Sequence, residues 1–137
     1  MALRWHSLVV DCRDARKQAA WWAEALGWMV IRDADAECVI VPPWMDETFI
    51  RETPWERLGT GMVFLPVTEG KTVKNRLHID LAPHAGPDRD GEIARLERLG
   101  ARRVDVGQPD DVSWTVLADP EGNEFCVLSA MDNADLA

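Results

Sequence analysis

The chain has 137 residues, 47% of them hydrophobic and 28% charged, enough for one well-packed domain and too few for two ordinary ones. Its formal net charge of −9 is spread along the sequence, which repels phosphate backbones and argues against a nucleic-acid partner, while favouring a cationic small molecule or simply solubility. No apolar run approaches the ~20 residues of a membrane span, the start MALRWHS lacks a signal-peptide layout, and Cys12, Cys38 and Cys126 are too scattered for a disulfide framework or zinc knuckle, so a cytoplasmic protein with reduced thiols and no membrane partner is expected.

In chain order, RWHSLVV (4–10) alternates with the period of a strand, and Asp14 is placed to cap a helix over DARKQAAWWAEALG. Ala15, Ala19, Trp22 and Leu26 recur at helical spacing, and Gly27 supplies the left-handed residue that ends many helices. WMVIRD and AECVIV read as a hairpin turning at Ala34 and Asp35, and GMVFLPV (61–67) reads as a fourth strand. Between them VPPWMDETFIRETPWERLGTG exceeds the usual ~12-residue ceiling for a structureless loop and carries Trp44, Phe49 and Trp55. Trp44 and Trp55 are suited to stacking on an aromatic or cationic ligand, or equally to burial across a dimer interface.

The second half repeats the order. NRLHIDL (75–81) alternates as a strand with Leu77, Ile79 and Leu81 on a core face and Arg76, His78 and Asp80 on the other. DGEIARLERLG is a helix with Ile93, Leu96 and Leu99 on one side; ARRVDV, SWTVLA and NEFCVLS are three further strands. Two anchors mark an internal duplication: Arg4-Trp5-His6 matches Arg76-Leu77-His78 at an offset of 72 (78 − 6), and Leu26-Gly27 matches Leu99-Gly100 at 73 (99 − 26). DPEG (119–122) has the composition of a type I turn feeding the last strand. His84, in APHAGPDRD, has no counterpart in the first half and reads as solvated. The expected fold class is α+β: duplicated βαβββ modules, about 3–67 and 75–129 of a single domain spanning 1–137, forming a curved, cup-like mixed sheet with helices outside, so that His6 and His78 face one cavity.

The duplicated pattern, HSLVVDCRD with its AxWWAxxLGW helix, NRLHIDL, EIARLERLGA and WTVLADPEGNEFCVL, resembles the glyoxalase-like branch of the vicinal oxygen chelate superfamily, over residues 3–129. The resemblance implies a divalent metal at the centre of the cup, held from the first and last strands of each module. His6 and His78 match the first-strand positions. Where family enzymes place a glutamate on the last strand, this chain has Cys126, and GMVFLPV offers only Phe64 or Leu65. A two-residue bulge would bring Glu124 to His6 and His78 as a two-histidine, one-carboxylate triad for non-haem iron; without it, a Cys126 thiolate would give a softer site suited to zinc. Arg76 and Asp80 either orient His78 or pair with strand neighbours.

The candidate ligand-binding residues are therefore His6, His78, Arg76, Asp80, Trp44, Trp55, Glu124 and Cys126, with no catalytic residue assigned. No cofactor is expected, the alternative being a divalent metal at His6 and His78. The implied function is small-molecule binding, akin to the superfamily's bleomycin-resistance proteins, with an incomplete metal site and without standard glyoxalase activity. The alternative is a metal-dependent lyase, isomerase or dioxygenase acting on a small oxygenated substrate. The partners expected are a cationic or aromatic small-molecule ligand and a second copy in a homodimer.

Overall fold

The computed structural model describes residues 3–84 and 88–129. It divides into two compact units, Met1–Gly70 and Lys71–Ala137. In the first, β1 (Ser7–Cys12) leads to α1 (Ala15–Leu26), the hairpin β2 (Met29–Ala34) and β3 (Glu37–Val41), then α2 (Glu47–Glu52), a 3-10 turn at Trp55–Arg57, and β4 (Gly61–Pro66). The sheet order is β1-β4-β3-β2. β1 runs parallel to β4 with Ser7 opposite Gly61, and the other pairs are antiparallel.

The ends of α1 follow from local chemistry. The Asp14 carboxylate accepts from the Lys17 N–H at 3.1 Å, satisfying a donor that the first turn leaves unpaired. At the other end Gly27 sits at φ 67°, and the N–H groups of Gly27 and Trp28 return to the carbonyls of Glu24 and Ala23, the closure that favours glycine. Ala15, Ala19 and Trp22 are buried as their spacing predicts, joined by Gln18, Trp21, Ala23 and Ala25. The Trp21 and Trp22 rings meet edge to face at 5.1 Å. The long connection expected as a loop carries α2, capped by Asp46 accepting from the Phe49 N–H at 2.8 Å, and the 3-10 turn.

The second unit contains β5 (Asp80–Leu81), α3 (Arg89–Arg98), β6 (Arg102–Arg103), β7 (Thr115–Ala118) and β8 (Glu124–Val127), in the order β5-β8-β7-β6. β5 is parallel to β8, as β1 is to β4, so both units thread the same topology and the duplication is real at the level of strand pairing. The fold class is α+β, with two four-stranded mixed sheets.

Two expected strands are shorter than their alternation suggests. NRLHIDL pairs only from Ile79, whose carbonyl accepts from the Cys126 N–H at 2.9 Å. Upstream, the Asn75 N–H is taken by the Glu124 carboxylate instead of a neighbouring strand. Leu77, expected on the core face, is 87% exposed. ARRVDV pairs at Arg102 and Arg103, and its last bond to β7 runs from the Val104 N–H to the Val116 carbonyl at 3.1 Å; beyond it Val106 and Gly107 donate to Gln108 and Asp105 side chains in a turn with Gly107 at φ 89°. The DPEG turn forms, with Gly122 N–H donating to Asp119 O at 2.9 Å, and the buried Asp119 carboxylate gathers the Glu121 and Asn123 N–H groups at 2.9 and 3.0 Å. Among the described residues no helix is long and apolar enough to cross a membrane.

Candidate functional site

The second unit's sheet has two chemically different faces. Leu117, Phe125 and Val127 point to one side and are buried. By the period-two rule Val116, Glu124, Cys126 and Leu128 point to the other, and there they line a hollow of about 440 Å³. Its floor is a row of partners across three strands, Asp80 opposite Cys126 and Cys126 opposite Val116. Trp114, 39% exposed, forms an indole wall with Val106 and Leu128, and Lys74, His78 and Gln108 supply polar groups.

At the β5 side the imidazole Nδ1 of His78 lies 3.6 Å from Asp80 Oδ1, and both side chains are about half exposed. Cys126, only 8% exposed, lies beside them; one donor atom from each of His78, Asp80 and Cys126 falls within 4.8 Å of the others. Burial pushes the Cys126 thiol up, and the charge of Asp80 and a hydrogen bond to it push it further, because each disfavours a second negative charge in that place.

Glu124 is committed elsewhere. Its carboxylate accepts from Lys71 Nζ at 2.7 Å and from the Asn75 N–H at 2.9 Å, with the two side chains 16% and 13% exposed. Burial alone pushes its pKa up, but the hydrogen bonds from Lys71 and Asn75 outweigh it and hold the carboxyl below its ordinary value. The bulge that would slide Glu124 into the position of Cys126 does not occur: β8 keeps continuous register with β7 from Thr115–Val127 to Ala118–Glu124.

The remaining sequence candidates lie as follows. Arg76 is exposed and does not line the hollow. His6, in the first unit, immediately precedes β1 and is exposed; its ring centroid is 4.9 Å from that of Trp55, and its Nδ1 is 3.4 Å from Arg4. Arg4 stacks over Trp55 at 4.8 Å and donates to the carbonyls of Trp55 and Leu58, pinning the 3-10 turn to the start of β1. Trp44 meets Phe49 edge to face at 5.4 Å and covers Gly59 so closely that a Cβ there would collide with its ring. Phe64 is fully buried and offers no ligand atom. Sequence reasoning missed Trp114, Gln108, Lys71 and Lys74; Trp114 precedes Val116 by two in SWTVLA, and that spacing was the available signal.

A divalent ion of the kind the resemblance implies needs about three protein donors roughly 3.3–3.8 Å apart when each lies ~2.0–2.3 Å from the ion. Within the second unit His78, Asp80 and Cys126 offer a nitrogen, an oxygen and a sulfur within 4.8 Å of one another, with His78 and Asp80 3.6 Å apart, a donor set of the right kind and number for such an ion.

No protein of curated function matches the sequence. Among solved structures, a variant of the fosfomycin resistance protein FosX from Listeria monocytogenes, complexed with Mn(II) and a dihydroxypropylphosphonic acid, superposes with a TM-score of 0.67 at 12% identity, covering 100% of this chain and 99% of that one. FosX from Mesorhizobium loti gives 0.62 at 13% identity, with 100% and 99% covered. A glyoxalase/bleomycin resistance protein/dioxygenase family enzyme from Burkholderia phytofirmans gives 0.58 at 14%, with 88% and 94% covered. At these identities the likeness is one of fold. The glyoxalase-like domain model matches residues 7–128, and the chain therefore belongs to the glyoxalase-like family of the vicinal oxygen chelate superfamily.

Proposed function

We propose that this protein binds a small organic molecule with a flat apolar body and a cationic or N–H-bearing end, in the hollow on the second unit's sheet. The observation that carries the reading is the lining itself. At about 440 Å³ it falls in the range of small-molecule sites, and it sets an indole wall and aliphatic side chains against a few converging polar groups. Trp114 supplies a face for stacking, and the half-exposed Asp80 carboxylate an acceptor for a positive group. A thiol stands at position 126 where the superfamily's enzymes carry a carboxylate, so the proton transfer of standard glyoxalase chemistry is not part of the proposal. In the first unit, exposed Trp5, Trp44 and Trp55 support a homodimer.

A second reading is favoured by the His78, Asp80 and Cys126 donors: a metal-assisted lyase, isomerase or dioxygenase acting on a small oxygenated substrate. A bound divalent ion would polarise the oxygens of such a substrate. This chain's own part would be to hold the ion and to stack the substrate on Trp114.

The experiment is a titration of the protein with a panel of cationic aromatic compounds, including a cationic glycopeptide, read by tryptophan fluorescence in the presence of a chelator. Saturable quenching that falls by most of its amplitude in Trp114→Phe, with affinity at least tenfold weaker in Asp80→Asn, supports the reading. Quenching that is unchanged in both variants contradicts it.

A further inference from the structure

We propose that the hollow's organic ligand is an aromatic amino acid or a close relative, a flat ring followed by an amine and then a carboxylate, with Lys74 as the residue that selects the acid end. The proposal rests on the small-molecule reading and adds a second charge to it. It comes from sorting the polar lining groups by what each already holds.

Gln108 has both ends of its amide in use, Oε1 accepting from the Val106 N–H at 2.8 Å and Nε2 donating to the Val104 carbonyl at 3.3 Å. Glu124 is neutralised by Lys71, and its second oxygen holds the Asn75 N–H. Besides the thiol, the ionisable groups that remain on the lining are Lys74, His78 and Asp80. Lys74 is exposed; its ammonium donates to the carbonyl of its own neighbour Asn75 at 3.2 Å and, among the described residues, makes no ion pair. The backbone that carries it is nonetheless fixed, because Glu124 grips the N–H of the next residue. The hollow thus presents one ammonium and one half-exposed carboxylate. A ligand with only an amine leaves Lys74 facing a like charge, and one with only an acid does the same to Asp80. A dipolar ligand satisfies both.

The register sets the order of the ligand's groups. Thr115 is opposite Val127 in the antiparallel β7–β8 pair, so Trp114, just before β7, lies at the Leu128 end of the hollow. Asp80 stands opposite Cys126, and Lys74, joined to the residue that Glu124 holds, lies at the Glu124 end. These levels on β8 are two residues, about 6.6 Å, apart. Ring, amine and acid therefore run in that sequence. Lysine reaches back toward the middle level: burial and then Asp80 push the Cys126 thiol's pKa up, while the charge of Lys74 pulls it down. That reach favours an acid close to the amine over one at the far end of a long chain.

The test is calorimetric titration of the full chain, with chelator present, using three probes that share one phenylethyl body: phenylalanine, phenethylamine with the amine alone, and 3-phenylpropionate with the acid alone. Phenylalanine should bind at least ~10-fold tighter than either of the others. Lys74→Gln, a change at an exposed position, should bring phenylalanine down to the affinity of phenethylamine and leave phenethylamine no weaker, a change of selectivity that a merely structural role would not produce. Asp80→Asn should bring phenylalanine down to the affinity of 3-phenylpropionate. Either single-charge probe binding as tightly as phenylalanine, or an equal loss for phenylalanine and phenethylamine in Lys74→Gln, overturns the inference; where phenethylamine still binds, the small-molecule reading stands. If none of the three binds, the inference also falls, and the fluorescence titration with larger cations judges the small-molecule reading by itself.

Discussion

Replacing Glu124 by alanine removes the acceptor for two donors at once, the Lys71 ammonium at 2.7 Å and the Asn75 N–H at 2.9 Å. A hydrogen bond to a charged group contributes about 1.5–3 kcal/mol, and an N–H left without a partner costs about 1 kcal/mol or more. Lys71 keeps a second acceptor, the Val73 carbonyl at 2.7 Å, and water reaches both side chains at 16% and 13% exposure. The loss should therefore lie at about 2–3 kcal/mol, under the ~3–5 kcal/mol of breaking a fully buried pair. For a chain of this length that is a fall in Tm of about 6–10 °C. Glu124→Gln retains the shape and some of the hydrogen bonding and should lose about 1–2 kcal/mol.

The pH dependence gives the sharper test. The Glu124 carboxyl is held below its ordinary value in the folded protein, so the unfolded chain takes up its proton first as pH falls. Its contribution is complete above the ordinary carboxylate range and disappears as pH drops through the depressed folded value. Urea unfolding of wild type and Glu124→Gln at a series of pH values should show a gap that is constant near neutrality and closes on the acid side. A gap below ~0.5 kcal/mol at pH 7, or one that does not narrow in acid, would refute the account of Lys71 and Asn75 as the groups that fix this carboxylate.

Asp119→Ala should cost about 2–4 kcal/mol in urea unfolding, because the Glu121 and Asn123 N–H groups lose their common acceptor; a cost under ~0.5 kcal/mol contradicts the turn's role. Asp80→Asn should speed iodoacetamide alkylation of Cys126 several-fold at pH 8, mapped by mass spectrometry. The carboxylate and its hydrogen bond, after burial, are what hold the thiol's pKa up, and removing them yields more thiolate; an unchanged rate means the two side chains do not meet. Gly59→Ala should alter the near-ultraviolet circular dichroism, since the new methyl displaces the Trp44 ring; an identical spectrum removes that contact.

What could be read from the sequence was what local chemistry decides. Asp14 and Gly27 bound α1 through their own hydrogen bonds and backbone geometry, and DPEG makes its turn for the same reason. The duplication was legible because two copies of one topology keep their spacing. NRLHIDL misled because alternation reports which residues could share a face, and is silent on whether a neighbouring strand is there to pair with. Residues 71–75 are held by the Glu124 side chain, so Leu77 is left in solvent. The same bond answers why Glu124 is not a free ligand, a fact set by Lys71, 53 positions away in sequence. Asp46 and Glu47 announce α2, but a helix of six residues leaves too little periodicity to detect. Asp80 and Cys126 were each visible as candidates; that they are opposite partners required the parallel register.

Chemical-shift mapping on the isotopically labelled protein, with the best cationic aromatic ligand from the panel, tests the proposed hollow most directly. The account predicts that the perturbed signals converge on the amides of Asp80, Gln108, Val116 and Cys126 and on the indole N–H of Trp114. Perturbations centred instead on Trp44 and Trp55, with those signals unmoved, would contradict it.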